Sequence, residues 1–307
     1  MDANQTHPVI QPLPFDASGL RGLSERLMLS HHQNNYGGAV TRLRAIRAQL
    51  AALDWASAPG YVINGLKREE LVAANSMNLH ELFFSCLGGD GKLAPGGLSV
   101  ALARDFGSVE AWHAQFVALS MAMRGGSGWA LLALSDRENR LFNHWAADHT
   151  HVPAGSTLIL ALDMYEHSYH LDFGADPKAY VAACMDNLHW PRISERYAAA
   201  VESATHTLAV GAEACAAEPG VVLIDVRRKG AYERGTEVIK GATWRDPERV
   251  DEWAGEVAGK EVVVYCIYGH EVGQSTAARL RDAGVSARFL TGGIDQWKAA
   301  GRPVQPK

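Results

Sequence analysis

The sequence predicts two domains. The first is an N-terminal α+β domain, in which a helical hairpin precedes a mixed α/β part with a small antiparallel sheet. The second is a C-terminal α/β domain with a parallel sheet. Three observations support this: the 307 residues suffice for two ordinary cores, long helical patterns dominate before residue 205, and short strands alternate with helices after it. We predict domains over residues 1–205 and 218–307, with 206–217 as the linker.

The N-terminal domain begins with segments whose apolar residues recur at helical spacing. A short strand-rich stretch follows, from GWALLALS to STLILALD, and a last helical pattern closes the domain. The helical segments are LSERLMLSHHQNNYGGAVTRLRAIRAQLAAL, LKREELVAANSMNLHELFFSCL, VEAWHAQFVALSMAM and PKAYVAACMDNLHWPRISERYAAAVESA. Helices first and a small sheet later is the order typical of α+β domains.

The C-terminal domain has short valine-rich or otherwise apolar runs that predict strands. These runs are EPGVVLIDVR, KEVVVYC and ARFL. Turn residues or helical patterns such as GQSTAARLRDAG and GIDQWKAAG follow them, so we expect a parallel sheet. The segment THTLAVGAEACAAEPG is rich in small residues, and we interpret it as a linker or packed connector.

Composition excludes several classes of partner. The formal net charge of -5 gives no reason to expect nucleic acid or an anionic membrane surface, and no segment has the roughly 18 to 20 apolar residues of a membrane span. The start, MDANQTHPVIQPLPF, lacks a basic region followed by an apolar one, so we expect a cytoplasmic protein. The four cysteines show no C-x-x-C spacing, which favours free thiols over disulfides or structural zinc.

Histidines and one aspartate suggest a metal site. The stretch DMYEHSYH puts Asp163 and His167 four residues apart, directly after an apolar run. Such a pair alone is more often a surface pair than a pair of ligands. However, His31 and His80 lie within long helical patterns among apolar residues, where a buried imidazole is costly unless it is hydrogen-bonded or metal-bound.

These residues carry a resemblance to a known family. DMYEHSYH resembles the signature Asp-x-Trp-Glu-His-Ala-Tyr-Tyr of the iron/manganese superoxide dismutases. Further segments, PLPFDASGLRGLSE, NLHELFFSCL and AQFVALSMAMRGGSGWALLAL, are similar to other parts of that family. The similarity covers residues 10 to 197.

The resemblance implies a ligand set of His31, His80, Asp163 and His167. His31 is favoured over His32 because AVTRLR then aligns without a gap with the family's Tyr-Val-Thr-Asn-Leu-Asn. Three imidazoles and one carboxylate suit one iron or manganese ion per chain in its +2 and +3 states. The implied activity is the dismutation of superoxide to dioxygen and hydrogen peroxide, and the sequence does not discriminate iron from manganese.

A further histidine is implied as the partner of metal-bound solvent, the position that tunes the metal potential. Some members of the family use a histidine in an Asp-His-x-x sequence in the loop before the ligand aspartate. In AADHTHVPAG, His149 follows Asp148, and its distance in sequence to the ligand Asp163 is one residue shorter than in those members. A polar surface loop is the alternative, because His144 and His151 lie close by. Trp129 and Phe84 are interpreted as apolar walls of the site.

The sequence departs from the family at several positions. The family's second histidine and its gateway tyrosine, four and eight residues after the first ligand, are replaced by Asn35 and Ala39. Tyr36 lies at a different helical angle unless the following glycines distort the turn. Glu166 is the residue that bridges subunits in the family, so a homodimer is implied, with His170 and Asn35 replacing the pair that joins the subunits.

The C-terminal segments resemble a rhodanese domain over residues 218 to 305. VVLIDVR, YERGTEVIKGAT, VVVYCIYGHEVGQSTAARL and FLTGGIDQWKAAGRPV carry the similarity. The family's cysteine aligns with Cys266, between a strand and a helix start, where amides and the helix dipole stabilise a thiolate that can carry a persulfide. The alternative is a buried inert cysteine. We expect Asp225 to hold the fold.

The loop CIYGHEVG contains Glu271 and no arginine. A carboxylate there repels an anion such as thiosulfate, so a persulfide or another thiol-bound sulfane-sulfur donor is expected, and phosphatase activity is not.

Two functions follow from these patterns. The first is a dimeric superoxide dismutase fused to a sulfurtransferase-like domain. The second is a metal-binding dimeric scaffold or sensor with weak dismutase activity that serves the thiol domain. The complete ligand set favours the first, and the missing gateway tyrosine favours the second.

Overall fold

The computed structural model describes residues 8–123, 126–205 and 208–307, without the side chain of residue 205. These residues form two domains with separate apolar cores. The predicted fold class is confirmed, because helices and a small antiparallel sheet precede a parallel sheet. None of the helices in the described ranges is both long and apolar enough to cross a bilayer.

The first domain is mainly helical. Its helices are α1 Glu25–Ser30, α2 Gly37–Ala51, α3 Gly60–Cys86, α4 Gly97–Phe106, α5 Val109–Ala122, α6 His170–Phe173, α7 Pro177–Asp186 and α8 Trp190–Thr205. Serines begin two of them, since Ser24 Oγ accepts a hydrogen bond from the N–H of Leu27, and Ser108 Oγ one from Ala111, both at 3.0 Å. Such side-chain caps satisfy N–H groups that have no partner within the helix.

The helical hairpin consists of α2 and α3, which pack along each other. Leu43, Ile46 and Leu50 of α2 form a buried cluster with Ala73 of α3. A π-helical turn, His31–Tyr36, joins α1 to α2 without a break. The first long helical pattern of the sequence therefore contains one π-helical turn, which has more residues per turn than the α-helix on either side.

The first domain also contains a three-stranded antiparallel sheet. Its strands are β1 Trp129–Ser135, β2 Leu141–Ala146 and β3 Ser156–Asp163, in the order β2-β1-β3. Residues of the central strand β1 are buried up to its last position. At one end of the sheet Trp129 pairs with Asp163, the last residue of β3. The carboxylate of Asp163 therefore lies beside the indole of Trp129 and next to the helical hairpin.

The second domain is built on a parallel sheet. Its strands are β4 Ala209–Val210, β5 Val222–Asp225, β6 Glu237–Ile239, β7 Thr243–Trp244, β8 Glu261–Tyr265, β9 Ser286–Leu290 and β10 Val304–Pro306. Its helices are α9 Ala212–Ala217, α10 Lys229–Arg234, α11 Val250–Trp253, α12 Glu271–Asp282 and α13 Gly293–Ala299. The main sheet has the order β4-β9-β8-β5-β7, and β10 pairs with β6 as a separate antiparallel ribbon.

The segment 206–217, which the sequence predicts as a linker, contains packed structure in its described part. Val210 of β4 pairs with Leu290 of β9. Cys215 of α9 lies in the core of the second domain. We therefore propose that this domain begins near Leu208, whose side chain also packs against its core.

Candidate metal centre and thiol loop

Four predicted ligands lie together between the helical hairpin and the sheet. His31 comes from the π-helical turn, His80 from α3, Asp163 from the end of β3 and His167 from a 3₁₀ turn that follows. One candidate ligand atom from each lies within 4.8 Å of those of the others, so the group can hold a metal ion. Three of the four residues are buried and His167 is half-buried.

Asp163 Oδ2 is the point on which the imidazoles converge. His31 Nε2 lies 3.0 Å from this oxygen, His167 Nε2 3.2 Å and His80 Nε2 3.5 Å. Hydrogen bonds on the other side fix the aspartate: Tyr165 N–H donates to Oδ1 at 2.9 Å, and the Tyr180 hydroxyl donates to the backbone carbonyl at 2.8 Å. Three nitrogens facing one oxygen at these distances are the donor set expected of a metal centre.

His80 has a buried ring nitrogen that a bound metal ion would satisfy. Its Nδ1–H donates to the carbonyl of Ser76 at 2.6 Å, which leaves the lone pair on Nε2. This Nε2 is buried and has no hydrogen-bond partner among the described residues. An orphaned polar atom in an apolar interior is costly, so its orientation toward Asp163 fits a bound iron or manganese ion.

Burial also sets the protonation states of these groups. It lowers the pKa of His80 to about 3, although the nearby Asp163 carboxylate acts in the opposite direction. Burial likewise lowers the pKa of His31. For Asp163 burial acts to raise the pKa, but hydrogen bonds from His167 and His31 outweigh it, so the net shift is downward. At neutral pH His31 and His80 are therefore neutral imidazoles and Asp163 is an ionised carboxylate, which are the forms that bind metals.

His31 and His32 have different roles in the structure. His31 is fully buried and faces Asp163, as described above. His32 points away, and its Nε2 lies 2.8 Å from the carbonyl oxygen of Gln11. The placement agrees with the choice of His31 over its neighbour.

His149 lies beside this cluster and is held by an aromatic side chain. The indole N–H of Trp129 donates to His149 Nδ1 at 2.9 Å, so the proton of the neutral imidazole is carried by Nε2. Tyr165 stacks on His149 with ring centroids 5.0 Å apart, and it also stacks on His167 at 5.3 Å. Burial lowers the pKa of His149, which favours the neutral ring.

Trp129 is the functional contact that sequence reasoning missed. The sequence places it among apolar residues at the start of a strand, and nothing there signals a partner 20 residues away. The β1–β2 register, which pairs Trp129 with Ala146, brings its indole next to the loop of His149, and the β1–β3 register puts it opposite Asp163.

In the second domain, Cys266 follows β8 and precedes α12. Its Sγ lies 3.9 Å from the carbonyl oxygen of His270, the residue before α12. The thiol faces a cavity of about 230 Å³ lined also by Arg228, Tyr268 and Val272. Asp225, at the end of β5, binds Arg227 through hydrogen bonds of 3.0 and 2.9 Å. It also accepts a hydrogen bond of 3.2 Å from the Tyr265 hydroxyl, so it joins the ends of β5 and β8.

Comparison with known proteins gives a family for each domain. Residues 94–196 match the family described as iron/manganese superoxide dismutases, C-terminal domain. The chain is 58% identical over 192 residues to the Superoxide dismutase [Fe] of Cupriavidus metallidurans, covering 62% of this chain and 97% of that protein. The chain belongs to the iron/manganese superoxide dismutase family. It is also 33% identical over 196 residues to Superoxide dismutase [Mn] 2 of Haloferax volcanii, covering 63% of this chain and 96% of that protein.

The remainder of the chain extends beyond the dismutase relatives. Residues 212–300 match the rhodanese-like domain family. The resemblance to both families is therefore confirmed, and the chain is a fusion of a dismutase domain with a rhodanese-like domain.

Tyr36 is the last residue of the π-helical turn and the tyrosine nearest in sequence to the gateway position that the resemblance implies. The turn does distort the helix, but Tyr36 does not take the place of the missing tyrosine. Its hydroxyl donates to Glu81 Oε1 at 2.7 Å and accepts from the N–H of Gln11 at 2.8 Å. Ala39 is buried where the family has its tyrosine, and it brings no hydroxyl to the site.

Residues implied in the dimer lie at the surface near the metal centre. Glu166 and His170 are exposed on either side of the buried part of the signature, and Asn35 is half-buried in the π-helical turn. Their exposure leaves them open to a second subunit.

Glu271, the carboxylate that the sequence places in the thiol loop, lines the thiol cavity and also contacts the dismutase domain. It is the first residue of α12, and its carboxylate packs against Gly97 of α4 in the dismutase domain. Burial raises its pKa, although Arg228 and Arg104 act in the opposite direction.

This shift predicts a pH dependence of stability. A carboxyl whose pKa in the folded chain exceeds the ordinary 4.5 binds its proton more tightly when folded. The free energy of unfolding therefore falls as the pH rises from 4.5 through the pKa of the folded chain. We expect Glu271→Gln to lose less stability than the parent chain between pH 4.5 and neutrality. Urea midpoints at a series of pH values measure the difference, and parallel pH profiles would contradict it.

Proposed function

We propose that the dismutase domain converts superoxide to dioxygen and hydrogen peroxide with one iron or manganese ion per chain, bound by His31, His80, Asp163 and His167. The observation that carries the proposal is the convergence of three imidazole nitrogens on Asp163 Oδ2, with His80 Nε2 buried and otherwise unpartnered. The similarity to proteins named superoxide dismutase [Fe] and [Mn] supports the same reaction.

The reaction takes two superoxide ions and two protons to one dioxygen and one hydrogen peroxide. When bound, the metal ion supplies the electron exchange through its +2 and +3 states. The chain's contribution is to hold the ligands by hydrogen bonds behind them: His80 Nδ1–H donates to the carbonyl of Ser76, and the Tyr180 hydroxyl donates to the carbonyl of Asp163. His149 contributes a donor, because its Nε2 carries the proton while Nδ1 is occupied by the Trp129 indole.

We predict that His149→Ala lowers dismutase activity while leaving the metal content unchanged. His149 lies beside the ligands, with its ring centroid 6.1 Å from that of His80, and is not one of the converging groups. Removing such a partner typically costs about 10- to 100-fold. The superoxide assay and elemental analysis are run on the same preparation. His151→Ala, an exposed histidine of the same loop, is the matched control, and equal activity in His149→Ala and the parent would refute the role.

The rhodanese-like domain is proposed to transfer sulfur through Cys266. The thiolate attacks the outer sulfur of a persulfide or other thiol-bound sulfane-sulfur donor, the donor's S–S bond breaks, and the donor leaves as a thiolate. Cys266 then carries the sulfur as a persulfide until an acceptor thiolate removes it. The position of Cys266 before the start of α12 and facing the cavity supports this step.

A cytoplasmic homodimer is the proposed state of the chain. The exposed Glu166 and His170, next to the ligand His167, support an interface at the metal centre. Asn35 lies on the π-helical turn that carries the ligand His31, and it belongs to the same proposed interface.

A metal-binding scaffold or sensor with weak dismutase activity is the second candidate, and Ala39 at the gateway position favours it. The two candidates are separated by measuring iron, manganese and superoxide dismutation on the purified full chain. Metal at one ion per chain with activity that disappears on metal removal supports the enzyme. Full metal content with activity no higher than that of the metal-free chain supports the scaffold.

A further inference from the structure

The helix that follows Cys266 packs on the dismutase domain. Helix α12 lies along α8, and a cavity of about 20 Å³ between the domains has room for one water molecule. Arg104 and Tyr197 line it from the dismutase side, and Arg228 and Glu271 from the other. A hydrogen bond of 3.3 Å from Asn139 Nδ2 to the carbonyl of Ser275 also crosses the boundary.

Glu271 belongs to both the thiol cavity and this boundary. It lines the cavity of Cys266 as well as the space between the domains. Its carboxylate lies so close to Gly97 that a Cβ on that glycine would be 1.3 Å from Oε1. Gly97 is the first residue of α4, so a methyl group there would collide with the carboxylate.

A gain in folding free energy does not explain the contact between the Glu271 carboxylate and Gly97. Burial raises the pKa of Glu271, so the ionised form is disfavoured despite Arg228 and Arg104. No described side chain donates a hydrogen bond to the carboxylate, whereas Arg104 is itself held by Asp105 at 2.6 Å and by the carbonyl of Asn139 at 3.0 Å. A buried carboxylate with these partners costs folding free energy.

The Cys266 loop is fixed from two sides. On one side, the N–H groups of Ile294 and Asp295 in α13 donate to the carbonyls of Cys266 and Ile267 at 3.0 and 3.1 Å. On the other side the thiol lies against the first turn of α12, where a Cβ on Gly273 would be 3.6 Å from Sγ. The position of that first turn therefore determines the surroundings of the sulfur.

We propose that Glu271 is a positioning residue for Cys266 that acts across the domain boundary: its docking against Gly97 of the dismutase domain holds the first turn of α12 and so sets the geometry of the thiol loop. The inference builds on the proposed sulfur chemistry of Cys266. It makes the dismutase domain part of the machinery that keeps this thiol reactive.

The test is a substitution in the other domain. Gly97→Ala adds one methyl that collides with the Glu271 carboxylate, and Gly60→Ala is its matched control, since Gly60 also begins a helix, α3, and a Cβ there meets nothing within 4 Å. The alkylation rate of Cys266 by iodoacetamide is followed in the full chain by peptide mass spectrometry. We expect Gly97→Ala to slow it about 10-fold, within the ~100-fold range that small misplacements of reacting groups cause.

A double-mutant cycle separates positioning from general damage. Glu271→Ala alone should slow the alkylation of Cys266. Glu271→Gln should have an alkylation rate closer to that of the parent, because glutamine keeps the size of the side chain. Gly97→Ala should cause no further slowing when it is combined with Glu271→Ala. The inference is overturned if Gly97→Ala behaves like Gly60→Ala, or if its effect persists without the Glu271 side chain. Because alkylation needs no sulfur donor, a chain that fails to accept sulfur but shows this pattern would refute only the sulfur-transfer proposal.

Discussion

Replacing His80 with alanine is expected to remove the metal from the dismutase domain. Its Nε2 is buried, lacks any hydrogen-bond partner among the described residues, and faces Asp163 Oδ2 at 3.5 Å. The loss should exceed the roughly 10- to 100-fold in affinity that removal of an outer hydrogen-bond partner costs, because a direct ligand is lost. Elemental analysis of iron and manganese after dialysis measures it.

The matched control is His113→Ala, which removes an exposed histidine from α5. The control should keep the parent's metal content, and His80→Ala should lose it along with superoxide dismutation. Retention of one metal ion per chain in His80→Ala would exclude His80 as a ligand and would require a different donor set. The Ser76 carbonyl, which holds the ring, would then have no function at the site.

The sequence predicts the elements of the dismutase domain that rest on long periodic patterns. The helices that carry His31 and His80 follow from apolar spacing over many turns, and Asp163 follows from its position at the end of an apolar strand. The π-helical turn at His31–Tyr36 does not follow, because a single inserted residue shifts the period without changing the composition. The position of the Tyr36 side chain after this turn is known only from the structure, in which its hydroxyl donates a hydrogen bond to Glu81.

Other features depend on contacts between distant segments. A two-residue strand such as β4 has too few residues for an alternating pattern, so the small-residue segment around it resembles a linker. Likewise, the sequence places Glu271 in the thiol loop but cannot say which way its carboxylate turns. The packing of α12 on the dismutase domain decides this, and it directs the carboxylate to Gly97.

Cys266 is expected to be the only one of the four cysteines that forms a stable persulfide. Burial raises the pKa of each of the other three thiols, Cys86, Cys184 and Cys215, so they stay protonated and poorly nucleophilic at neutral pH. They lie within packed helices, whereas Cys266 lies between a strand end and the start of α12 and borders the cavity of about 230 Å³.

The experiment incubates the full chain with a low-molecular-weight persulfide and locates the added sulfur by peptide mass spectrometry. We expect one added sulfur on the peptide that contains Cys266 and none there in Cys266→Ser. The serine is close in size, so the loop bonds from α13 to residues 266 and 267 should persist and the variant should keep its metal and its fold. Sulfur found mainly on Cys86, Cys184 or Cys215, or absent from Cys266, would exclude sulfur transfer and leave the cavity as a binding site for thiols.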